Sequence, residues 1–261
     1  THGGVVQIID YLQQHVIAEF TEQYMAAQCL TSHPKGEILM LGNFDLIRFY
    51  NKETKTIFKE LGGKVSKIIN MAYSPQGDYV AVATNQLKIQ LWDLKLNKIA
   101  QDIQGFFPCE FSSDGNYLIG MNYTLNLGVW DAATGQLIRE LPTDSELIQC
   151  LAVSPDGKYV AGAGFMNVIK IWDLETGKRV AELKGHSGGI LTLDFHPSEP
   201  WIASGGHDQT TRVWNYQTKK ELKQFTDQTI VVNSVKFSPD GKTLATSAWD
   251  KTIHLRNTTT W

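Results

Sequence analysis

Ile190-Leu191-Thr192-Leu193-Asp194-Phe195 is short, apolar and roughly alternating, a pattern that predicts a β-strand. His196-Pro197-Ser198-Glu199-Pro200 follows as a turn, its prolines fixing the bend. Trp201-Ile202-Ala203-Ser204 predicts a second strand. Gly205-Gly206-His207-Asp208 predicts a tight reversal in which glycine permits positive φ. Thr211-Arg212-Val213-Trp214 reads as a third strand, Gln217-Thr218-Lys219 as a polar hairpin tip, and Glu221-Leu222-Lys223-Gln224-Phe225 as an alternating outer strand. Residues 186–225 are therefore expected to form a four-stranded antiparallel meander.

The same unit recurs along the chain. Asp or Asn follows an aromatic at Tyr50-Asn51, Trp92-Asp93, Trp130-Asp131, Trp172-Asp173 and Trp214-Asn215, at steps of 42, 38, 42 and 42 residues. A turn signal keeps the same period at Ser74-Pro75-Gln76-Gly77, Ser112-Ser113-Asp114-Gly115, Ser154-Pro155-Asp156-Gly157, His196-Pro197-Ser198-Glu199 and Ser238-Pro239-Asp240-Gly241. Two unrelated markers locked to one period define a tandem array. A lone meander buries both faces only if another sheet packs on each side, and repetition around an axis achieves this. The expected fold is all-β, a β-propeller of four-stranded antiparallel blades in a single domain over 1–261. Full blades are expected at 24–61, 64–103, 105–141, 147–183 and 189–225, with partial blades at 1–23 and 230–261. Val6-Gln7-Ile8-Ile9-Asp10 aligns with Lys170-Ile171-Trp172-Asp173, and Ile17-Ala18-Glu19-Phe20 with Val180-Ala181-Glu182-Leu183, so the N-terminal segment reads as the last two strands of a blade. Seven blades, the closing ones incomplete, is the favoured count, and six the rival.

Gly185-His186, Ser204, Asp208 and Trp214-Asn215 stand at the spacing of the WD-repeat propellers, and the chain resembles that family over nearly its whole length. The resemblance implies a buried hydrogen-bond chain in which His186 bridges to Asp208 and the Trp214 indole N–H reaches Ser204. Such a chain is favourable only when every member is paired. The following repeat keeps Thr246 and Asp250 but has Arg256 at the Trp position, and earlier repeats place Gln86, Thr124 and Met166 at the Asp position. Blades without the tetrad are expected to hold by packing alone. The resemblance further implies that strands from both termini close the ring, and that two classes of residue project onto one end of it, the top face. The first class is His2, Asn43, Asn85, Tyr123, Phe165, His207 and Trp249; the second is Gln28, Ile69, Phe107, Gln149, Leu191 and Asn233.

Composition narrows the function classes. Of 261 residues, 24 are Lys or Arg and 27 Asp or Glu, for a net charge of −3 with the basic residues scattered, so no nucleic-acid partner is expected. Cys29, Cys109 and Cys150 sit in apolar strand patterns without a close pair, which predicts buried thiols and a reducing, cytoplasmic setting. No apolar run approaches the ~18 residues of a membrane span, and no signal peptide is visible. The sequence opens on Thr1 rather than Met and reads as an excerpt of a longer polypeptide, with a fused effector such as an ATPase, protease or kinase as a natural companion.

Catalytic chemistry is sparse. His186, Ser204 and Asp208 supply the residue types of a hydrolytic triad, but the tetrad reading buries the serine against a Trp, away from any oxyanion hole. Gly188-Gly189 and Gly205-Gly206 lie at β-turns rather than between strand and helix, so they are not phosphate loops. Metal-ligand spacing is lacking, and neither a metal nor a cofactor is expected. What remains is a surface. Tyr123, Phe165 and Trp249 occupy turn positions where a monomer has no packing need for an aromatic, and His207, Phe107 and Asn85 stand beside them. The expected activity is binding of a protein or peptide partner on that face, as a scaffold or sensing module, with no membrane partner and no turnover. An enzyme with its site at the channel mouth is the alternative.

Overall fold

The computed structural model describes residues 5–10, 13, 15–21, 29–44, 46–62 and 67–261. Among them are twenty-five strands and no helix. The chain divides into two compact units, residues 1–111 with 132–135 and residues 112–131 with 136–261. The first unit carries β1 (Val5–Asp10), β2 (His15–Thr21), β3 (Cys29–Ser32), β4 (Ile38–Gly42), β5 (Leu46–Asn51), β6 (Thr56–Gly62), β7 (Ile68–Tyr73), β8 (Tyr79–Thr84), β9 (Ile89–Asp93), β10 (Lys98–Ile103) and β11 (Phe106–Phe111). The second carries β12 (Tyr117–Met121), β13 (Leu127–Asp131), β14 (Leu137–Leu141), β15 (Ile148–Val153), β16 (Tyr159–Gly164), β17 (Val168–Asp173), β18 (Arg179–Lys184), β19 (Ile190–Phe195), β20 (Trp201–Gly206), β21 (Thr211–Asn215), β22 (Lys220–Phe225), β23 (Val232–Phe237), β24 (Thr243–Ala248) and β25 (Ile253–Asn257).

Strands pair in chain order: β3 to β6, β7 to β10, β11 to β14, β15 to β18 and β19 to β22 form four-stranded sheets, and β23 to β25 a three-stranded one. These are six propeller blades, the count that the spacing held as the rival to seven. β1 and β2 pair only with each other among the described residues, so residues 5–21 add a hairpin and not a further four-stranded blade.

Burial follows from how the sheets stack. The second strands β8, β16 and β20 are buried along both faces from their second residue onward, because a sheet packs on each side. In the second unit Ala161, Ala163 and Ile171 of one blade share a core with Ile190, Leu193 and Ile202 of the next. Ala203 and Val213 likewise pack with Val232, Val235 and Leu244. In the first unit Met40, Ile47 and Phe49 meet Ile68, Met71 and Val80. The fourth strands are the wet ones; β22 has no fully buried residue. Cys109 and Cys150 are buried, Cys29 is half-buried, and all three are free thiols. Burial pushes the Cys29 thiol up to about 12, and drives those of Cys109 and Cys150 upward as well.

One turn differs from its expectation. Gly205 and Gly206 do not form the reversal; they are the last residues of β20. Their role is close approach. A Cβ on Gly206 would stand 2.1 Å from the Gly189 carbonyl oxygen, and one on Gly205 2.4 Å from Val232. The positive φ falls instead on Gln209, and the equivalent turns place Leu87, Leu125, Asn167 and Lys251 in the same left-handed conformation.

Candidate interaction face

The turns that join second to third strands rest on a polar layer, most complete in β19 to β22. His186 Nδ1 lies 2.8 Å from Asp208 Oδ2 and His186 Nε2 2.7 Å from Ser204 Oγ, while the Trp214 indole N–H donates to Ser204 Oγ at 2.8 Å. The Ser187 backbone N–H and the Thr210 hydroxyl also donate to Asp208. Desolvation raises the Asp208 carboxyl, but the hydrogen bond and charge of His186, with Ser187 and Thr210, outweigh it and hold the group well below the usual carboxylate range. The order Ser–His–Asp is that of a hydrolytic triad. Ser204, however, is 0% exposed and already accepts from an indole, so no substrate carbonyl can reach it as folded. The constellation pins the inter-blade loop at 185–189 to the turn at 207–210.

Other blades of the second unit build the pin from different residues, which corrects the expectation of packing alone. In β15 to β18 the buried Lys170 ammonium stands 3.0 Å from Glu146 and 3.2 Å from Asp144, and donates to the Thr143 carbonyl at 2.7 Å. Glu146 in turn accepts the Met166 backbone N–H, and the Trp172 indole donates to the Pro142 carbonyl. In β23 to β25 Arg256 takes the Trp position and donates to Thr246 at 2.6 Å and to Asp227, its guanidinium 4.5 Å from the Phe225 ring. Asn122, Thr124 and Asn126 gather on Glu140 beside β13. Packing alone describes β7 to β10 better, where the buried Trp92 indole N–H has no acceptor among the described residues. The sequence missed these pins because each uses a different residue set at the same place, so no single motif repeats.

The residues expected on the binding face fall at one turn of successive sheets. Asn85, Phe165, His207 and Trp249 each directly follow a second strand, and Tyr123 follows β12 by two residues. Asn85 is exposed in the first unit, and Phe107 is half-buried within β11. In the second unit Trp249 is 61%, Phe165 59% and Tyr123 51% exposed, and His207 is exposed. Phe165 and His207, from neighbouring blades, stack with centroids 6.4 Å apart and planes 25° apart. Gly189 lies against the pair; a Cβ there would meet Phe165 at 3.1 Å and His207 at 3.3 Å.

The second class of positions has a structural cause. Ile69, Gln149, Leu191 and Asn233 are each skipped in the pairing of a first strand with its second, so each is a β-bulge residue. A bulge re-aims its side chain at the strand end. Asn43 is half-buried, while His2 and Gln28 lie outside the described residues. Further exposed apolar residues at these turns and the loops beside them belong to neither class, among them Met166, Leu147, Ile230, Leu87 and Leu125. Met166 carried a signal, since it replaces the Asp that would point inward. No group of three His, Cys, Asp or Glu side chains suited to a metal occurs among the described residues.

Tandem antiparallel blades with polar pins beneath their turns define a repeat-built propeller. The WD domain, G-beta repeat family profile matches residues 135–173, 177–215 and 219–257. Each match runs from the fourth strand of one sheet through the third strand of the next, so the sequence repeat straddles two blades. A stretch of 91 residues is 29% identical to telomerase protein component 1 of Rattus norvegicus, covering 34% of this chain and 3% of that protein. Three WD repeats therefore lie within residues 135–257, and these matches together with the blades support a WD-repeat propeller. Propellers of this family generally serve as protein-interaction scaffolds, typically for proteins or peptides, and are generally not enzymes.

Proposed function

We propose that this chain is a non-catalytic docking platform, a single propeller domain that binds a protein or peptide on the end carrying the turns after the second strands. The observation that supports it is the placement of Tyr123, Phe165 and Trp249, all more than half exposed, at equivalent turns of the second unit. Exposed aromatics on rigid turns offer large contact area at little entropic cost, which is why binding hot spots are rich in them. Scattered over the surface they would carry no weight; on one kind of turn they do. The scattered basic residues and net charge of −3 fit a protein partner better than nucleic acid or an anionic membrane. Within a larger polypeptide such a platform would sense or position a client for a fused effector.

The test is affinity capture from native lysate with wild type and Trp249→Ala side by side, each checked for unchanged thermal melting. Loss of a captured protein in the variant supports the reading. Equal capture by both, or capture lost only together with folding, overturns it.

A further inference from the structure

Fourth strands grip the hairpin tip of the next blade, and at one junction the grip is reversed. Lys59 of β6 donates to the Leu94 carbonyl at 3.1 Å, and Gln101 of β10 to the Ala133 carbonyl at 3.2 Å. Arg139 of β14 donates to the Leu174 and Glu175 carbonyls. Gln101 and Arg139 each lie against a bare glycine of the tip. A Cβ on Gly135 would meet the Gln101 side chain at 3.2 Å, and one on Gly177 that of Arg139 at 3.5 Å. One repeat of 42 residues further on, Ala181 of β18 stands where Arg139 does, and Lys219 where Gly177 does. The long side chain has moved from the strand to the tip. Lys219 holds the left-handed conformation of the glycine, with a φ of 59°, which costs a residue that carries a Cβ. A groove of about 500 Å³ opens there, lined by Arg179, Val180, Ala181, Glu182, Lys184 and Lys219.

The fold brings together here basic residues that the sequence scatters. The segments bordering the groove, 178–184 and 219–223, hold Lys178, Arg179, Lys184, Lys219, Lys220 and Lys223 against Glu182 and Glu221, in a chain of net charge −3. Glu221 is taken by Arg212. Glu182 stands 3.0 Å from Lys184 and 3.5 Å from Arg179, and Arg179 also pairs with Asp144. Lys55, with a φ of 57° at the same place in an earlier repeat, donates to the Ile17 carbonyl at 3.0 Å. Lys219 has no such acceptor among the described residues. A singly charged anion entering the groove would compete with Glu182 on equal terms. One with several charges would engage Lys219 and draw Lys184 and the Arg179 fork away from a carboxylate that carries only one. The flanking lysines add an attractive field. The volume suits a small molecule better than a lone ion. We infer that this groove binds a small soluble compound with clustered phosphate groups, a ligand separate from any partner on the turns.

Isothermal titration of the purified chain with sodium tripolyphosphate, in about 50 mM NaCl so that screening is weak, tests this. One site should fill, about tenfold or more tighter than with inorganic phosphate, because each further charge-assisted hydrogen bond adds roughly that factor. Glu182→Gln should tighten binding by removing the competing carboxylate. The sharpest variant combines Ala181→Arg with Lys219→Gly, which rebuilds the arrangement of Arg139 and Gly177, fills the groove and leaves the net charge unchanged. It should lose about tenfold or more in affinity. Lys219→Gly alone relieves the backbone and keeps the fold, and should show a similar loss if the double variant melts early. Lys220→Ala, outside the groove, should change affinity less than about twofold. The inference fails if tripolyphosphate does not bind, or if the filled groove binds as well as wild type. It fails if Lys220→Ala weakens binding as much as Lys219→Gly does, the mark of diffuse attraction to surface lysines. It fails equally if a Glu-rich dodecapeptide binds more tightly than tripolyphosphate, which would assign the groove to an acidic protein segment. Sedimentation with phosphatidic acid vesicles without tripolyphosphate binding would assign it to a bilayer and likewise overturn it. Capture on the aromatic turns is read separately with Trp249→Ala, so either reading can fall alone.

Discussion

Replacing Trp214 separates the two things that side chain does. It is 2% exposed and belongs to a core shared by two blades, with Ile171, Ile190, Leu193 and Ile202 around it. A Cβ on Gly185 would touch the ring at 2.8 Å, so the indole fills its space to the backbone. Trp214→Ala leaves a cavity that rigid strands on both sides cannot close, and truncations of this kind cost about 3–5 kcal/mol. Trp214→Phe keeps most of the packing but removes the 2.8 Å hydrogen bond to Ser204 Oγ. That change leaves the serine short of one donor, at about 1–3 kcal/mol. Urea unfolding read by midpoint, with the slope checked for constancy, yields both values. A Trp214→Ala cost under about 1 kcal/mol would refute the buried pin. Equal losses in the two variants would show that the hydrogen bond and the packing are not separable as described.

Lys170→Met strands Glu146 in the interior and should destabilise by about 3–5 kcal/mol, while Lys170→Met with Glu146→Gln should recover much of the loss in a double-mutant cycle. Gly206→Ala drives a Cβ into the Gly189 carbonyl and should cost about 3 kcal/mol in chemical denaturation, whereas Gly157→Ala, with the nearest atom at 3.8 Å but a φ of +72°, should cost only about 1 kcal/mol from strain. Asp208 is held below its unfolded pKa, so its contribution is fully present above about pH 3.9 and is lost as pH falls further through the folded value. The stability difference between wild type and Asp208→Asn, followed by fluorescence from pH 6 to pH 2, should therefore shrink only below about pH 4; a difference that instead grew on acidification would reverse the sign assigned here. Trp249→Ala should leave stability within about 0.5 kcal/mol of wild type, because the ring is exposed.

The period of forty-odd residues made the blades legible. Alternation in Ile190–Phe195 and the Pro or Gly turns between strands mark local geometry that a single sequence carries. The tetrad of β19 to β22 was legible through the resemblance to WD-repeat propellers, whose spacing His186, Ser204, Asp208 and Trp214 keep. Compensation across residues was not. Lys170, Glu146 and Asp144 solve the burial of a blade edge with an ion pair, and Arg256 solves it with a guanidinium. Nothing in either segment repeats, so periodicity could not reveal them. Gly205-Gly206 misled because glycine serves both positive φ and close approach, and only the position of the Gly189 carbonyl decides between them. On the proposed docking face the turn positions followed from the resemblance to WD-repeat propellers, and Met166 was marked by standing at the Asp position, while the exposure of Leu147 became visible only in the structure.

Docking on the aromatic-bearing turns has one direct test: hydrogen–deuterium exchange on the chain alone and with its captured partner. New protection should centre on residues 122–126, 165–167, 207–210 and 249–252, with the fourth strands β18 and β22 unchanged. Protection confined to those outer strands, with the four turns exchanging as freely as before, would contradict the account.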